Sequence, residues 1–313
     1  MAWRKAASDA NAKSEKKASS RRAPKISTIV ATVMFIVGLG IIAYPTFSDW
    51  FNSLQRARDI SEYVAAVQET DTATLDAMMA DARAYNERIA TRSGVYSLSE
   101  SERAQYEQLL RVSNSGVIGY VQINSINVNL PIYHGLSEET LQKAIGHMEG
   151  TSLPIGGPST HAVISGHRGL PSARLFTDLD KLEEGDTFSI TVLNQTLFYE
   201  VDQIRIVLPD DLSLLTIEPG QDYVTLVTCT PYGVNTHRLL VRGHRIEGAL
   251  DASAITADAV QIPRYLAVLA VGIPILFVFL VGMLVYYRVR KPRVSKQQAL
   301  NDIRNSIDST KER

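Results

Sequence analysis

The sequence predicts a mainly-β domain: a barrel preceded by helices and held between two membrane-spanning helices. Three observations carry this prediction. Two charge-free apolar stretches, near residues 26–47 and 265–287, are each about 20 residues long, the length of helix that crosses a bilayer. Between them, from Gly116 to Arg242, short β-prone runs recur with turn residues at their ends. Finally, the 313 residues hold one cysteine, Cys229, and it stands at the end of such a run.

Residues 1–25 are rich in Ala, Ser and Lys without an apolar period, and read as a disordered basic tail. The stretch 26–47 lacks a small-residue cleavage site at its end, so it reads as a retained anchor, not a removable signal. Orientation follows from the flanks, because Lys and Arg stay on the cytoplasmic side. The first 25 residues carry 8 basic and 2 acidic groups, and residues 288–313 carry 8 and 3. Both tails are therefore expected in the cytoplasm and the domain outside, at the cell membrane. The overall net charge of −1 hides a segment 26–287 with 16 basic and 28 acidic residues, and no nucleic-acid partner is expected.

Segment 48–115 is expected to hold extracytoplasmic helices near 50–67, 73–92 and 97–111. Their apolar residues recur at helical spacing, as in Ile60, Val64, Val67 and in Leu75, Met78, Met79, Ala82, Tyr85. Ser99 followed by Glu100 and Glu102 reads as a cap with an acidic first turn. Segment 116–247 is expected to be one antiparallel barrel, with strands near 117–123, 128–133, 161–165, 188–193, 197–207, 223–228 and 236–242. Short helices are expected at 137–145 and 173–182. Residues 248–264 read as a linker, 265–287 as the second span and 288–313 as a basic tail.

In an extracytoplasmic domain a lone cysteine has no intramolecular disulfide partner, so it is a buried small residue or a reactive thiol. The strand end, the Pro231-Tyr232-Gly233 break behind it and the nearby Arg238 favour the thiol. A thiol with an ordinary pKa of about 8.5 needs a cationic neighbour to become a useful thiolate. His167, at the end of the run His161-Ala162-Val163-Ile164-Ser165, fits that role and proton transfer. Arg238 offers a planar fork of donors for a carbonyl or an oxyanion. Together the three predict acyl transfer through a thioester. His161 is the second choice of base, and His237 is disfavoured because it alternates to the other strand face from Arg238. His134, His147, His161, His237 and His244 show no spacing that fits zinc; neither a metal nor a cofactor is expected.

At these residues the chain resembles a sortase, the cysteine transpeptidase family of Gram-positive cell surfaces. Thr225-Leu226-Val227-Thr228-Cys229 matches the family's cysteine motif, and His167 and Arg238 match its histidine and arginine. Gly119-Tyr120-Val121-Gln122-Ile123, Leu130-Pro131-Ile132-Tyr133-His134-Gly135 and Thr230-Pro231-Tyr232-Gly233-Val234-Asn235 are similar to class C, the pilus-assembling branch. The resemblance covers about residues 50–290. It implies an eight-stranded sortase barrel that cleaves a Leu-Pro-x-Thr-Gly sorting signal after Thr. The acyl group then passes to a lysine amine on another pilin, so pilin precursors with C-terminal sorting signals are the implied partners. The class C lid motif, Asp-Pro-aromatic, is absent between residues 85 and 106. Tyr96 is the aromatic residue left as a candidate lid anchor, and segment 93–96 is expected to dock weakly. The rival readings are a cell-wall anchoring sortase, a hydrolytic thiol protease, an L,D-transpeptidase, whose Ser-x-Gly-Cys context is lacking, and a non-catalytic pilin scaffold.

Overall fold

The computed structural model describes residues 26–92, 95 and 97–247, together with residues 272, 275, 276, 279, 282, 304 and 305. The expectations for the tails 1–25 and 288–313, the linker 248–264, Tyr96 and, single positions apart, the second span 265–287 lie outside the described residues. The chain divides into two units, 1–254 and 255–313. Everything below belongs to the first.

Eight strands close a barrel: β1 Val117–Ile123, β2 Val128–His134, β3 Ile145–His147, β4 Thr160–Ser165, β5 Thr187–Val192, β6 Gln195–Val207, β7 Asp222–Thr230 and β8 His237–Ile246. Their order around the barrel is β1-β2-β3-β4-β7-β8-β6-β5. Closure removes the sheet edges, which otherwise invite pairing with other chains. The sequence predicts an antiparallel barrel, and the structure departs from that at two pairings. β2 pairs with β3 and β4 pairs with β7 in parallel. Parallel neighbours need a crossover: helix Glu138–Lys143 joins β2 to β3, and the β5–β6 hairpin lies between β4 and β7. Strand β3 was not foreseen either. Its three residues are too few to show a period, and the expected helix 137–145 ran into them.

Alternation along the strands sorts the apolar residues. Ala162 and Ile164 on β4, Val224 and Leu226 on β7, and Leu239 and Val241 on β8 face the interior core. Val163, Val227 and Leu240, at the intervening positions, form a second apolar cluster with Leu215 on the outer face. The stack of Phe188 on Tyr199, with centroids 5.5 Å apart, fills the barrel beside Gly243. A Cβ at Gly243 would lie 2.6 Å from Phe188.

Among the described residues three helices precede the barrel: α1 Ile26–Glu69, α2 Thr72–Ala90 and α3 Glu100–Tyr106. The predicted span and the helix expected at 50–67 are one continuous 44-residue helix, with Pro45 inside it. A change from apolar to polar side chains does not interrupt backbone hydrogen bonding, and Pro45 removes a single N–H. Among the described residues α1 is the helix long and apolar enough to cross a membrane. Its first half exposes Met34, Ile41 and Ile42, each about 70% or more accessible. Its second half docks on the barrel: the fully buried Tyr63 donates to the Ile118 carbonyl (3.1 Å) and accepts from the Leu193 amide (2.6 Å).

Asp71 caps α2 by accepting from the Thr74 amide (2.9 Å). The helix buries Leu75, Met79, Ala82, Tyr85 and Ile89, each large apolar side chain contributing about 1.5–3 kcal/mol. Asn86 then clamps the Leu153 backbone, accepting from its amide (2.7 Å) and donating to its carbonyl (3.1 Å). The capping box at Ser99 and Glu102 is present on α3. The helix is shorter than the expected 97–111, and the chain turns at Leu110, which has a left-handed φ of 58°.

Candidate active site

The second predicted helix between strands, 173–182, is a compact loop with a 3₁₀ turn at Leu179–Lys181. This loop begins where β4 ends, at Gly166-His167. Strand β4 lies parallel to β7 with Ser165 opposite Val227. The pairing extends one step beyond the strand: the Gly166 amide donates to the Val227 carbonyl (3.0 Å), and Thr228 Oγ1 donates to the Gly166 carbonyl (2.8 Å). A Cβ at Gly166 would lie 2.6 Å from Ile145 and 2.9 Å from Phe176, so only glycine brings the chain this close. These bonds start His167 beside the last residues of β7.

Cys229 is the penultimate residue of β7 and is half-buried. Its cross-strand partner on β8 is Arg238. The residue type at 227, Val, and the thiol at 229 share one strand face, as do Arg238 and Leu240, so the polar pair continues the outer apolar cluster. A groove of about 250 Å³ opens there, lined by His167, Cys229 and Arg238 with Leu136, Met148 and Leu215. The three residues singled out in the sequence therefore meet at one groove.

The imidazole of His167 has a buried Nε2 with no hydrogen-bond partner among the described residues. Arg238 Nη1 donates to the carbonyls of Asn235 (3.3 Å) and His237 (3.1 Å), which tether the guanidinium at the strand's start. The neighbour of His167, Arg168, is held from three sides. It pairs with Asp180, donates to Thr230 Oγ1 (3.4 Å) and stacks 5.7 Å from the Tyr232 ring. It thus ties the His167 loop to the turn after Cys229.

The second-choice base, His161, is not at the groove's thiol. Its Nδ1 donates to the Thr216 carbonyl (2.9 Å), since a carbonyl only accepts, so Nε2 accepts from the Thr225 hydroxyl (2.7 Å). Burial lowers its pKa. His237 lies beside Thr236, with Nδ1 2.9 Å from the Thr236 hydroxyl. His147 and His134 pack around Tyr106 under α3. Burial lowers their pKa to about 3 and about 4. Among the described residues no cluster of His, Cys, Asp and Glu has the makings of a metal site.

Sequence reasoning did not find the apolar wall of the groove. Leu136, Leu141, Met148, Leu212 and Leu215 come from three separate connections, and nothing in their local pattern marks them. Nor did it find what lies beside the lid candidate Tyr96. Val95 packs against the outer cluster of Val163, Leu215, Val227 and Leu240.

Comparison with known proteins agrees with this architecture. A family model described as a sortase domain matches residues 121–246. The crystal structure of sortase C1 from Streptococcus agalactiae is 52% identical, with a TM-score of 0.60, and the match covers 61% of this chain and 100% of that one. Sortase C-1 from Actinomyces oris is 43% identical with a TM-score of 0.52, over 55% of this chain and 99% of that one. Sortase D of Bacillus subtilis is 26% identical over 151 residues, 47% of this chain and 73% of the relative. The chain belongs to the sortase family, whose members are cysteine transpeptidases. Its structural neighbours are class C sortases.

Proposed function

We propose that this chain is a pilus-assembling sortase, with Cys229 as nucleophile, His167 as proton carrier and Arg238 as oxyanion or substrate donor. The observation that carries the reading is the convergence of these three side chains on one groove of a sortase barrel. The Cys229 thiolate attacks the Thr carbonyl carbon of a Leu-Pro-x-Thr-Gly signal, and the carbonyl oxygen takes the negative charge beside Arg238. As the tetrahedral intermediate collapses, the Thr–Gly bond breaks and imidazolium His167 gives its proton to the departing Gly amine. A lysine amine of another pilin then attacks the thioester carbonyl. His167 takes the proton of the incoming amine, and Cys229 leaves as thiolate. The net result is one isopeptide bond for one peptide bond.

The apolar walls of the groove suit the Leu and Pro of such a signal. The exposed apolar half of α1 supports a membrane anchor. Basic flanks at both ends of the sequence support two spans with both termini in the cytoplasm and the barrel outside.

The test is to incubate the chain with a sorting-signal peptide and a lysine-bearing pilin fragment and to look for both species by mass spectrometry. A thioester at Cys229 and a Thr–Lys isopeptide product are expected. Release of free Thr acid alone, with no amine adduct, would make it a hydrolase. Protease added to protoplasts should digest the barrel and spare tags at both termini.

A further inference from the structure

The loop that starts at His167 is closed by its own backbone. The Phe176 amide donates to the His167 carbonyl (3.2 Å), and the Gly169 amide donates to Thr177 Oγ1 (3.2 Å). Phe176 is fully buried, which fixes the closing end in the core. The apex reaches the anchor helix. Asn52 of α1 donates through Nδ2 to the Ser172 carbonyl (2.8 Å), and the Arg174 amide donates to Asp49 Oδ1 (2.8 Å). Asp49 is held in turn by Arg56, 3.2 Å away with a side chain only 9% exposed.

Asp49 and Asn52 sit where α1 leaves its apolar stretch, about one and two turns beyond Pro45 and next to the exposed Phe47 and Phe51. A run of hydrogen bonds, from two α1 side chains to the loop backbone and then within that backbone, therefore leads from the end of the apolar stretch of α1 through Ser172, Arg174 and Phe176 to His167. With Nε2 of that imidazole unpartnered among the described residues, the ring takes its placement from the loop that carries it.

We propose that Asp49 and Asn52 are positioning residues for His167. The anchor helix holds the loop after His167 so that the imidazole stands at the groove, in addition to tethering the domain. This rests on the reading of His167 as the proton carrier.

The test uses the full chain in lipid nanodiscs, with a Leu-Pro-x-Thr-Gly peptide as substrate and hydrogen exchange over residues 168–176. Asn52→Ala and Asp49→Ala should each lower kcat about tenfold, the size expected from one or two lost hydrogen bonds at a positioning contact. KM should stay within about twofold, the pH–rate profile should move, and the Arg174 and Phe176 amides should exchange faster. Asp49→Asn keeps the oxygen that the Arg174 amide uses and should restore most of kcat. Arg58→Ala, exposed on the same helix, should resemble the wild type. Because Asp49→Ala strands the Arg56 charge and risks misfolding, Asn52→Ala decides the matter. Faster exchange in Asn52→Ala with unchanged kcat and pH profile overturns the proposal, and so does unchanged exchange. If the wild type does not turn the peptide over, the functional reading fails separately. The pH dependence of Cys229 alkylation in the same variants then reports the imidazole's position: a profile moved by Asn52→Ala supports the proposal, and a superimposable one overturns it.

Discussion

The outer face of β4, β7 and β8 ends in two different ways. At one end lie His161, Thr225 and Arg242, and four residues further along β7 lie Cys229, Arg238 and His167. The two cross-strand pairs, Thr225 with Arg242 and Cys229 with Arg238, belong to the same ladder, about 13 Å apart at roughly 3.3 Å per residue. Their residue types match, a histidine and an arginine beside a short Sγ- or Oγ-bearing side chain. Their partners do not. Both nitrogens of His161 are hydrogen-bonded, and Arg242 makes a two-point contact with Asp202 (3.0 and 2.9 Å) while lying 4.1 Å above the Tyr223 ring. At the other end the buried Nε2 of His167 has no partner among the described residues, and Arg238 donates to the neutral carbonyls of Asn235 and His237. Buried polar groups in folded proteins are almost always paired, which makes the open end the one to test for an incoming substrate.

The largest test of this contrast is Cys229→Ala. It should abolish thioester formation and peptide cleavage while the near-unchanged volume leaves circular dichroism and melting temperature intact. Residual cleavage at the wild-type rate would mean that the open end is not where the chemistry occurs. Next come paired substitutions at the two ends. His167→Ala should lower turnover by about 10² to 10⁴, and Arg238→Lys by about 10² to 10³, because a point charge does not reproduce the planar fork. Arg242→Lys at the closed end should change turnover less than about threefold, with the loss appearing in thermal stability instead.

His161→Ala reverses the emphasis. It strands the Thr216 carbonyl and the Thr225 hydroxyl, each worth about 1–3 kcal/mol when left unsatisfied, and should lower the denaturation midpoint while sparing the kcat of the folded fraction. A catalytic loss as large as that of His167→Ala would remove the distinction between the two ends.

Acid should act through the buried histidines away from the groove. Burial lowers the pKa of His134 and His147 from an ordinary 6.5 to about 4 and about 3, and lowers that of His161. Between 6.5 and those values the unfolded chain binds protons that the folded chain refuses, so stability falls as pH falls. Denaturant titrations should show full stability above about pH 6.5 and a progressive loss down to about pH 3. A flat profile across that window would place these imidazoles in contact with water. The smallest effect is expected between the two ends, where Val95 covers the apolar middle. Val95→Ala removes two methyl groups from a half-buried site and should raise Cys229 alkylation by only a few-fold.

Much of this was legible because the signals are local. Strand alternation, the Pro-Tyr-Gly stop after Cys229 and the capping box at Ser99 each lie within a few residues of what they specify. The charge-free stretch 26–47 and its basic flank are equally local. The positions of Cys229, His167 and Arg238 at strand ends followed from the same patterns. Their convergence is a different matter, since it depends on β4 lying parallel to β7. That pairing crosses the whole β5–β6 hairpin and leaves no period in either strand.

The sequence by itself determined seven of the eight strands, the three residues proposed for acyl transfer, and that a helix able to cross a membrane precedes them. Only the tertiary structure decided which of two similar histidines is open and which is sealed. Thr216 and Thr225 reach His161 from segments more than 50 residues away, and the buried Nε2 of His167 has no such partner among the described residues. Only the tertiary structure joined the anchor helix to the His167 loop, through contacts 120 and 125 residues apart in the chain. Hydrogen-bond satisfaction is a property of neighbours in space. A chain read one residue at a time records the donors and acceptors, and folding assigns them.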